Sequence, residues 1–430
     1  MAATSRWQRG GAGRRGRWTA RLFREELALP ALLWLLMGAN GVVALVRYTG
    51  GPFLTVYVQV TAGLPASAAG MVVGLGSLSG LLVAPVAGRW IDRAGRRAGL
   101  ALGAFLEALT AAAMATAHSG PGFALAVLAG GAAGTVESLS YRALLSDLAP
   151  EALRTRVFGY NYWLLNVGAT VGPLLGFRLG AATSPLSWWL SCAAGLVLAT
   201  LAWRAVPPEL GRGGAAAPGA DDAAGRPGLR TALALLAEEP RVALFAAAAF
   251  FNGLAYSQLH TSLAVLARSV LPGGDASYAR LVAVNGLTVL LTQPWLGRLL
   301  ERRPRLGLVT GELLFALAEL GWWRAAPREE VWLALMALFT VGEVFHSPSL
   351  QSTAAGLAPP GLRASTFAAL SLADGVAYGL GPSAGGRLLE AAGPGALPLA
   401  MACASLVAAG LFLRLRDGEG AGPSRAGARR

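Results

Sequence analysis

Apolar stretches of about 20 residues follow one another along almost the whole chain, and this pattern restricts the fold more than any other feature. A helix of that length spans about 30 Å, the thickness of the hydrocarbon core of a membrane. Only 14% of the residues are charged, which is too few to cover soluble domains of this size. We therefore predict an all-α membrane protein with twelve transmembrane helices, near residues 31–58, 66–88, 99–118, 122–146, 158–180, 186–205, 241–266, 278–300, 306–324, 331–356, 364–389 and 394–414.

The arginines are distributed unevenly over the predicted loops. The chain has 36 basic and 23 acidic residues, a formal net charge of +13. When successive loops are assigned to alternate sides, 28 basic residues lie on one side and six on the other. Because positively charged loops stay in the cytoplasm, we predict that both termini are cytoplasmic. The basic excess then follows from topology and from contact with anionic membrane lipid, and it does not indicate a nucleic-acid partner.

The sequence repeats itself at an offset of 209 residues. Pro85 recurs as Pro294, and DLAPEALRTRVF (147–158) recurs as GLAPPGLRASTF (356–367). Six spans per half would give two bundles in the same orientation, related by an axis along the membrane normal. We predict two six-helix bundles, at residues 28–205 and 241–416, joined by a cytoplasmic linker at 206–240 that is rich in Gly, Ala, Pro and Arg. A basic cytoplasmic tail precedes the first bundle at 1–27, and a second cytoplasmic tail follows at 417–430.

The loop after the second span carries GRWIDRAGRR, which resembles a signature of the major facilitator superfamily. The resemblance implies two pseudo-symmetric six-helix bundles, and a loop that latches the halves together on the cytoplasmic side. It assigns that role to Gly88, Asp92, Arg93, Gly95, Arg96 and Arg97. Gly88 would let two helices approach closely, since it has no side chain. The second copy has Glu301 and Pro304 in place of Asp92 and Gly95, so we expect a weaker latch there.

Two spans carry small residues at four-residue spacing together with a proline. Such residues permit tight helix crossing, and a proline removes a backbone hydrogen bond and bends a helix. The copy in span five is similar to a motif of proton-coupled drug antiporters, although Phe177 replaces a second glycine. The residues concerned in spans five and eleven are Gly168, Gly172, Pro173 and Gly176, and Gly381, Pro382 and Gly385.

Ionisable residues within the spans are functional candidates, because each costs at least ~2.5 kcal/mol near the bilayer centre. In the superfamily, spans one, four, seven and ten line the central cavity. That resemblance selects Arg47, Glu137 and Glu343 as cavity residues, and Asp374 in span eleven is a further candidate. We expect Glu343 to carry a proton or to pair with Arg47. The remaining carboxylates are predicted to be structural or interfacial, namely Glu107, Glu312 and Glu319.

Span seven places Asn252, Tyr256 and His260 at four-residue spacing, which predicts one polar helix face towards the cavity. Glu343 and His346 are three residues apart in span ten. That spacing can bind a metal ion, but one pair needs further ligands that the sequence does not identify, so we predict no metal site. We also expect no cofactor.

These features predict a secondary transporter that works by alternating access. The first hypothesis is proton-coupled efflux of amphipathic or drug-like small molecules, with protonation of Glu137 or Glu343 as the switch. The alternative is ion-coupled uptake or exchange of a small anionic nutrient, with Arg47 binding the anion. A non-transporting receptor is a third reading. No catalytic arrangement or nucleotide-binding motif indicates an enzyme, and we expect a monomer.

Overall fold

The structure is a computed structural model that describes residues 29–210, 229–296, 299, 303–359 and 362–415. Both predicted tails and most of the predicted linker lie outside these residues. The same holds for Gly297, Arg298, Glu301 and Arg302, which belong to the second copy of the signature loop. Within the described ranges the secondary structure is helical, without a β-strand.

Fifteen α-helices occupy the described residues. The N-terminal half contains α1 (Ala31–Gly50), α2 (Leu54–Ala62), α3 (Ala66–Ala94), α4 (Arg96–Thr116), α5 (Gly120–Leu148), α6 (Arg154–Arg178) and α7 (Leu186–Ala205). The connecting helix is α8 (Leu229–Glu238). The C-terminal half contains α9 (Pro240–Tyr256), α10 (Ser262–Val270), α11 (Asp275–Leu296), α12 (Pro304–Arg324), α13 (Glu329–Leu357), α14 (Arg363–Ala392) and α15 (Ala396–Arg414).

Nine helical segments among the described residues are long and apolar enough to cross a membrane. The continuous segments α1–α2 and α9 with the 3-10 turn that follows it each count as one. Three more helices, α6, α11 and α14, have 25, 22 and 30 residues and match predicted spans five, eight and eleven. The count of twelve spans and the cytoplasmic termini stay predictions.

The 209-residue repeat is visible in the helix boundaries. Helix α5 begins at Gly120 and ends at Leu148, and α13 begins and ends 209 residues later. Helices α3 and α6 likewise begin 209 residues before α11 and α14. The repeat found in the sequence thus recurs in the backbone, because equivalent helices begin 209 residues apart. The two halves are therefore built from the same arrangement of helices.

The first and seventh spans are both interrupted. Gly51–Phe53 forms a short 3-10 turn between α1 and α2, where Pro52 removes a backbone donor. Ser257–His260 forms a second 3-10 turn between α9 and α10. We predicted that Asn252, Tyr256 and His260 share one face of an α-helix. This is wrong for His260, because the α-helix ends at Tyr256 and His260 lies in the 3-10 turn that follows.

The two halves pack against each other through two helix pairs, α3 with α14 and α6 with α11. Glycines permit the first contact. A Cβ atom on Gly74 would stand 2.0 Å from the carbonyl oxygen of Gly379, and one on Gly386 would stand 2.5 Å from the backbone of Ala66. The contact between Gly386 and Ala66 joins the beginning of α3 to the last part of α14. We call this end of the molecule the closed end; the predicted topology places it outside the cell.

The signature loop lies at the opposite end of α3. Gly95 has φ 90°, a left-handed conformation that favours glycine, and it joins α3 directly to α4. Arg96 pairs with Asp92 at 2.9 Å and with Asp147 at 3.2 Å. These ion pairs lie within the N-terminal half. Among the described residues, no atom of another helix lies within 4 Å of a Cβ built on Gly88, so the close helix approach expected there is not seen in that part of the chain.

Candidate functional site

Arg47 in α1 binds two carboxylates of its own half. Its Nη2 and Nη1 atoms donate to Glu137 of α5 at 2.6 and 3.1 Å, a bidentate contact. Glu107 of α4 follows at 3.9 Å from Nη2. Glu137 is 4% exposed, whereas the side chain of Arg47 is 36% exposed. Because lipid cannot solvate a guanidinium group, we infer that the exposed part of Arg47 faces a water-filled space between the halves, which we call the central cavity.

Two glycines make room for this cluster. A Cβ atom on Gly103 would stand 2.5 Å from the backbone nitrogen of Glu137, so α4 and α5 touch at this level. A Cβ atom on Gly134 would stand 2.4 Å from Oε1 of Glu107. Glu107 therefore lies across the space that a side chain at position 134 would fill. The sequence did not predict this place beside Arg47, and the predicted structural or interfacial role of Glu107 stays a prediction.

Glu343 lies on α13, the helix of the C-terminal half that repeats α5, but its partners are polar and uncharged. Nδ2 of Asn285 donates to Oε2 of Glu343 at 3.0 Å and to Oγ1 of Thr340 at 2.9 Å. The Tyr256 hydroxyl also lies close to this carboxylate. The expected pairing of Glu343 with Arg47 is not present, because Arg47 is held by Glu137.

Aromatic side chains from both halves surround Glu343. The Tyr256 ring lies 6.0 Å from Phe339 and 6.4 Å from Tyr378, measured between ring centroids. Tyr48 of α1 and Tyr162 of α6 belong to the N-terminal half and are within electrostatic range of the Glu343 carboxylate. The arrangement combines a negative charge with the negative faces of several rings, which is the environment that an organic cation prefers.

A second polar cluster lies behind Glu343, inside the C-terminal bundle. His346 of α13 places Nε2 3.0 Å from Oε1 of Glu312 in α12. Glu312 is 0% exposed and His346 is 4% exposed, so His346 does not line the cavity as the sequence suggested. Asn252 of α9 is buried and lies close to Glu312. The sequence did not place Asn252 and Glu312 together, because it does not show which helix faces which.

The other candidates are spread around these clusters. Asp374 of α14 is half-buried, with Oδ1 3.7 Å from the point where a Cβ on Gly253 would stand. His260 is half-buried at the end of its 3-10 turn. Among the described residues, no group of three or more His, Cys, Asp or Glu side chains could hold a metal ion.

The small-residue stripes pack against the first helices of their own halves. Cβ atoms on Gly168, Gly172 and Gly176 would all meet α1, at Leu45, Tyr48 and Thr49. In the other half, Gly381 and Gly385 face Gln258, whose Nε2 donates to the Gly381 carbonyl at 2.8 Å. Pro173 and Pro382 both lie inside their helices, α6 and α14. The stripes therefore bring spans five and eleven against spans one and seven.

The sequence profile of the Major Facilitator Superfamily matches residues 36–271 and 271–429. The chain belongs to this superfamily. The predicted family and fold class are confirmed: the protein is a multi-pass membrane transporter with bacterial relatives, consistent with the cell membrane. Transport by a member of this superfamily implies a small-molecule substrate, and the protein is not an enzyme.

Relatives and solved structures agree with the superfamily assignment. The chain is 24% identical to an uncharacterized MFS-type transporter, YqjV of Bacillus subtilis (strain 168), over 80% of this chain and 83% of the relative. It is 24% identical to the quinolone resistance protein NorA of Staphylococcus aureus over 34% of this chain and 37% of NorA. The crystal structure of a mutant of the nucleoside transporter NupG matches with a TM-score of 0.77 at 14% identity, covering 90% of this chain and 100% of the other.

The sequence predicted some of the polar residues at this site of the transporter and missed others. Arg47, Glu137 and Glu343 were predicted, and the structure puts Arg47 and Glu137 together. Glu107 and Asn285 were not selected. A glycine on the facing helix, Gly134, is the signal that could have brought Glu107 forward. Asn285 has its own signal, a strongly polar residue in the middle of an apolar span.

Proposed function

We propose that this transporter exports amphipathic, drug-like organic cations in exchange for protons. The observation that carries the proposal is the cluster of Arg47, Glu137 and Glu107. Two carboxylates share one guanidinium group there, so the fully ionised cluster carries one net negative charge. A buried uncompensated charge is costly, and a proton removes it. Glu107, at 3.9 Å, is the carboxylate that takes up the proton, while the bidentate pair with Glu137 stays intact.

The engagement of Arg47 counts against the alternative function, binding of a small anion. An anionic substrate would have to displace Glu137 from a bidentate contact of 2.6 and 3.1 Å or share Arg47 with two carboxylates. Either arrangement places three negative groups around one positive charge. Repulsion between them disfavours the complex. A cationic substrate meets the opposite situation, since it adds positive charge to a site that has too little.

Glu343 and its aromatic neighbours are the proposed substrate site. The carboxylate offers an ionic contact, and the partly exposed rings of Tyr256 and Tyr378 offer apolar surface and cation–π attraction. The distant relationship to NorA, named for quinolone resistance, supports a drug-like substrate class. Alternating access then moves this site between the two sides as the halves rock about the α3–α14 and α6–α11 contacts.

The proposal is tested in inside-out vesicles that export ethidium, a lipophilic cation, under an imposed proton gradient. We expect Glu107→Gln to abolish gradient-driven accumulation while ethidium still binds, because neutral glutamine mimics the protonated acid permanently. Glu343→Gln should weaken ethidium binding itself. The matched control is Glu330→Gln, which removes an exposed carboxylate in the first turn of α13, outside both clusters and outside the signature loop. If Glu107→Gln retains wild-type accumulation, Glu107 is not the coupling residue.

A second arm uses organic anions in the same vesicles. Arg47→Lys keeps the positive charge but loses the bidentate contact, so we expect impaired coupling for ethidium. If wild-type protein instead accumulates a carboxylate or phosphate ester, and Arg47→Lys abolishes its binding, the anion-transport alternative is correct. Binding is followed by the quenching of tyrosine and tryptophan fluorescence.

A further inference from the structure

Two glutamates of α12 are equally buried but have different side-chain partners. Glu312 and Glu319 are two helical turns apart, and each is 0% exposed inside the C-terminal bundle. Glu319 accepts a hydrogen bond of 2.8 Å from Oγ of Ser405 in α15. Glu312 has Nε2 of His346 at 3.0 Å. One carboxyl group therefore faces a hydroxyl, and the other faces a group that can carry a proton.

These partners have different consequences for charge. Within the described ranges Glu319 has one hydrogen-bond partner, a hydroxyl, so its ionised form would be an uncompensated charge in an apolar interior. We therefore expect Glu319 to be a neutral acid. Glu312 and His346 can instead hold one proton between them with no net charge. Either the acid and the imidazole are both neutral, or carboxylate and imidazolium form an ion pair. The pair thus stores a proton at no cost in net buried charge.

Five helices place side chains near the pair. Helix α13 adds Glu343, one turn before His346 and within its electrostatic range. Helix α14 adds Asp374, also within range of His346, and α9 adds the uncharged amide of Asn252. Helix α12 itself adds the neutral Glu319, and α15 adds the Phe412 ring, 5.9 Å from the imidazole. The acidic neighbours therefore lie on the side that leads to the central cavity.

We propose that Glu312 and His346 form a second proton-binding site, separate from the Arg47 cluster, which exchanges its proton with the cavity past Glu343. Loss of the proton leaves one negative charge on the pair. A cation held at Glu343 compensates that charge, so proton release from the pair and cation binding favour each other. The inference rests on the proposed function for its role in transport. The proton-binding site itself does not depend on that function.

Infrared difference spectroscopy tests the site on the purified full-length transporter. Spectra are recorded without substrate between about pH 5 and about pH 9, which brackets the ordinary pKa of an imidazole. We expect a carboxyl C=O or imidazole ring band that changes with pH in the wild-type protein and is absent from both Glu312→Gln and His346→Gln. Glu319→Gln is the matched control, on the same helix with the same burial, and should keep that band.

The infrared spectra of the variants show whether Glu312 and His346 bind a proton. If wild-type and Glu312→Gln proteins give the same pH difference spectrum, the pair does not exchange protons and the proposal is overturned. A band lost in Glu319→Gln but kept in Glu312→Gln would also overturn it. Circular dichroism establishes that the variants fold, and His346→Gln provides a second route if Glu312→Gln does not.

The role in transport is measured separately, with tetraphenylphosphonium as the probe cation. Adding it at constant pH should release a proton from wild-type protein, and Glu312→Gln should release fewer protons per bound cation. If the pH band is present but no proton is released, the proton site stands and the proposed cation–proton exchange fails. If the band is absent while Glu107-dependent export persists, the proposed function stands and this inference fails.

Discussion

At the scale of single residues, Gly134 controls whether Glu107 can reach Arg47. A methyl group at this position would stand 2.4 Å from Oε1 of Glu107, which is the movable end of a flexible side chain. We therefore predict that Gly134→Ala folds but displaces Glu107 from the cluster. Ethidium export should lose much of its dependence on the proton gradient, although no charged residue has been removed. Export is measured in the same vesicle assay.

The control for Gly134→Ala lies one turn away on the same helix. A Cβ atom on Gly130 would stand 3.6 Å from Oγ1 of Thr110, an ordinary van der Waals distance. Gly130→Ala should therefore leave export unchanged. Equal coupling in the two variants would contradict the place we assign to Glu107.

At the scale of helices, the pairing of α6 with α1 depends on the glycine stripe. A Cβ atom on Gly176 would stand 2.0 Å from the carbonyl oxygen of Thr49, which is backbone and cannot turn aside. Overpacking of this kind typically costs about 1–3 kcal/mol. We predict that Gly176→Ala lowers the melting temperature of the purified protein. The measurement is thermal unfolding followed by intrinsic fluorescence.

Gly159 is the matched position near the other end of α6, where a Cβ would have no atom of another described helix within 4 Å. Alanine is the better helix former by about 1 kcal/mol, so Gly159→Ala should keep or raise the melting temperature. A similar fall in both variants would mean that loss of glycine itself, and not contact with α1, destabilises the protein.

The helices themselves could be predicted from the sequence, and the pairing of their side chains could not. Hydropathy and the 209-residue offset depend on local composition, and the helix boundaries follow them closely. The contact of Glu107 with Arg47 depends on which faces of α4, α5 and α1 meet, and on Gly134, which leaves space for the Glu107 side chain. The break after Tyr256 was missed because its 3-10 turn contains neither glycine nor proline.

At the scale of the whole molecule, the closed end is held by a contact between the halves. The backbone N–H of Ser67, at the start of α3, donates to Oε1 of Glu390 in the last turn of α14 at 2.8 Å. The Glu390 carboxylate thus lies at the N-terminus of α3, where the dipole of that helix favours negative charge. That donated hydrogen bond lowers the pKa of Glu390 below its ordinary value. The contact therefore favours the conformation in which this end is shut.

Because the pKa of Glu390 is lower in the shut conformation, protonation must work against that conformation. The stabilisation is complete above the ordinary pKa of a glutamate and is lost as the pH falls through the lowered pKa. We predict that acid pH, and Glu390→Gln at neutral pH, both increase the population that is open at this end.

Double electron–electron resonance between spin labels on His118 and Ala392, both exposed at the closed end, measures that population in a background without Cys192 and Cys403. Arg387→Gln is the control, since it changes a charge one turn away without removing the contact with Ser67. If Glu390→Gln leaves the distance distribution unchanged at every pH while Gly386→Val, which wedges the same interface, widens it, then packing alone keeps this end shut.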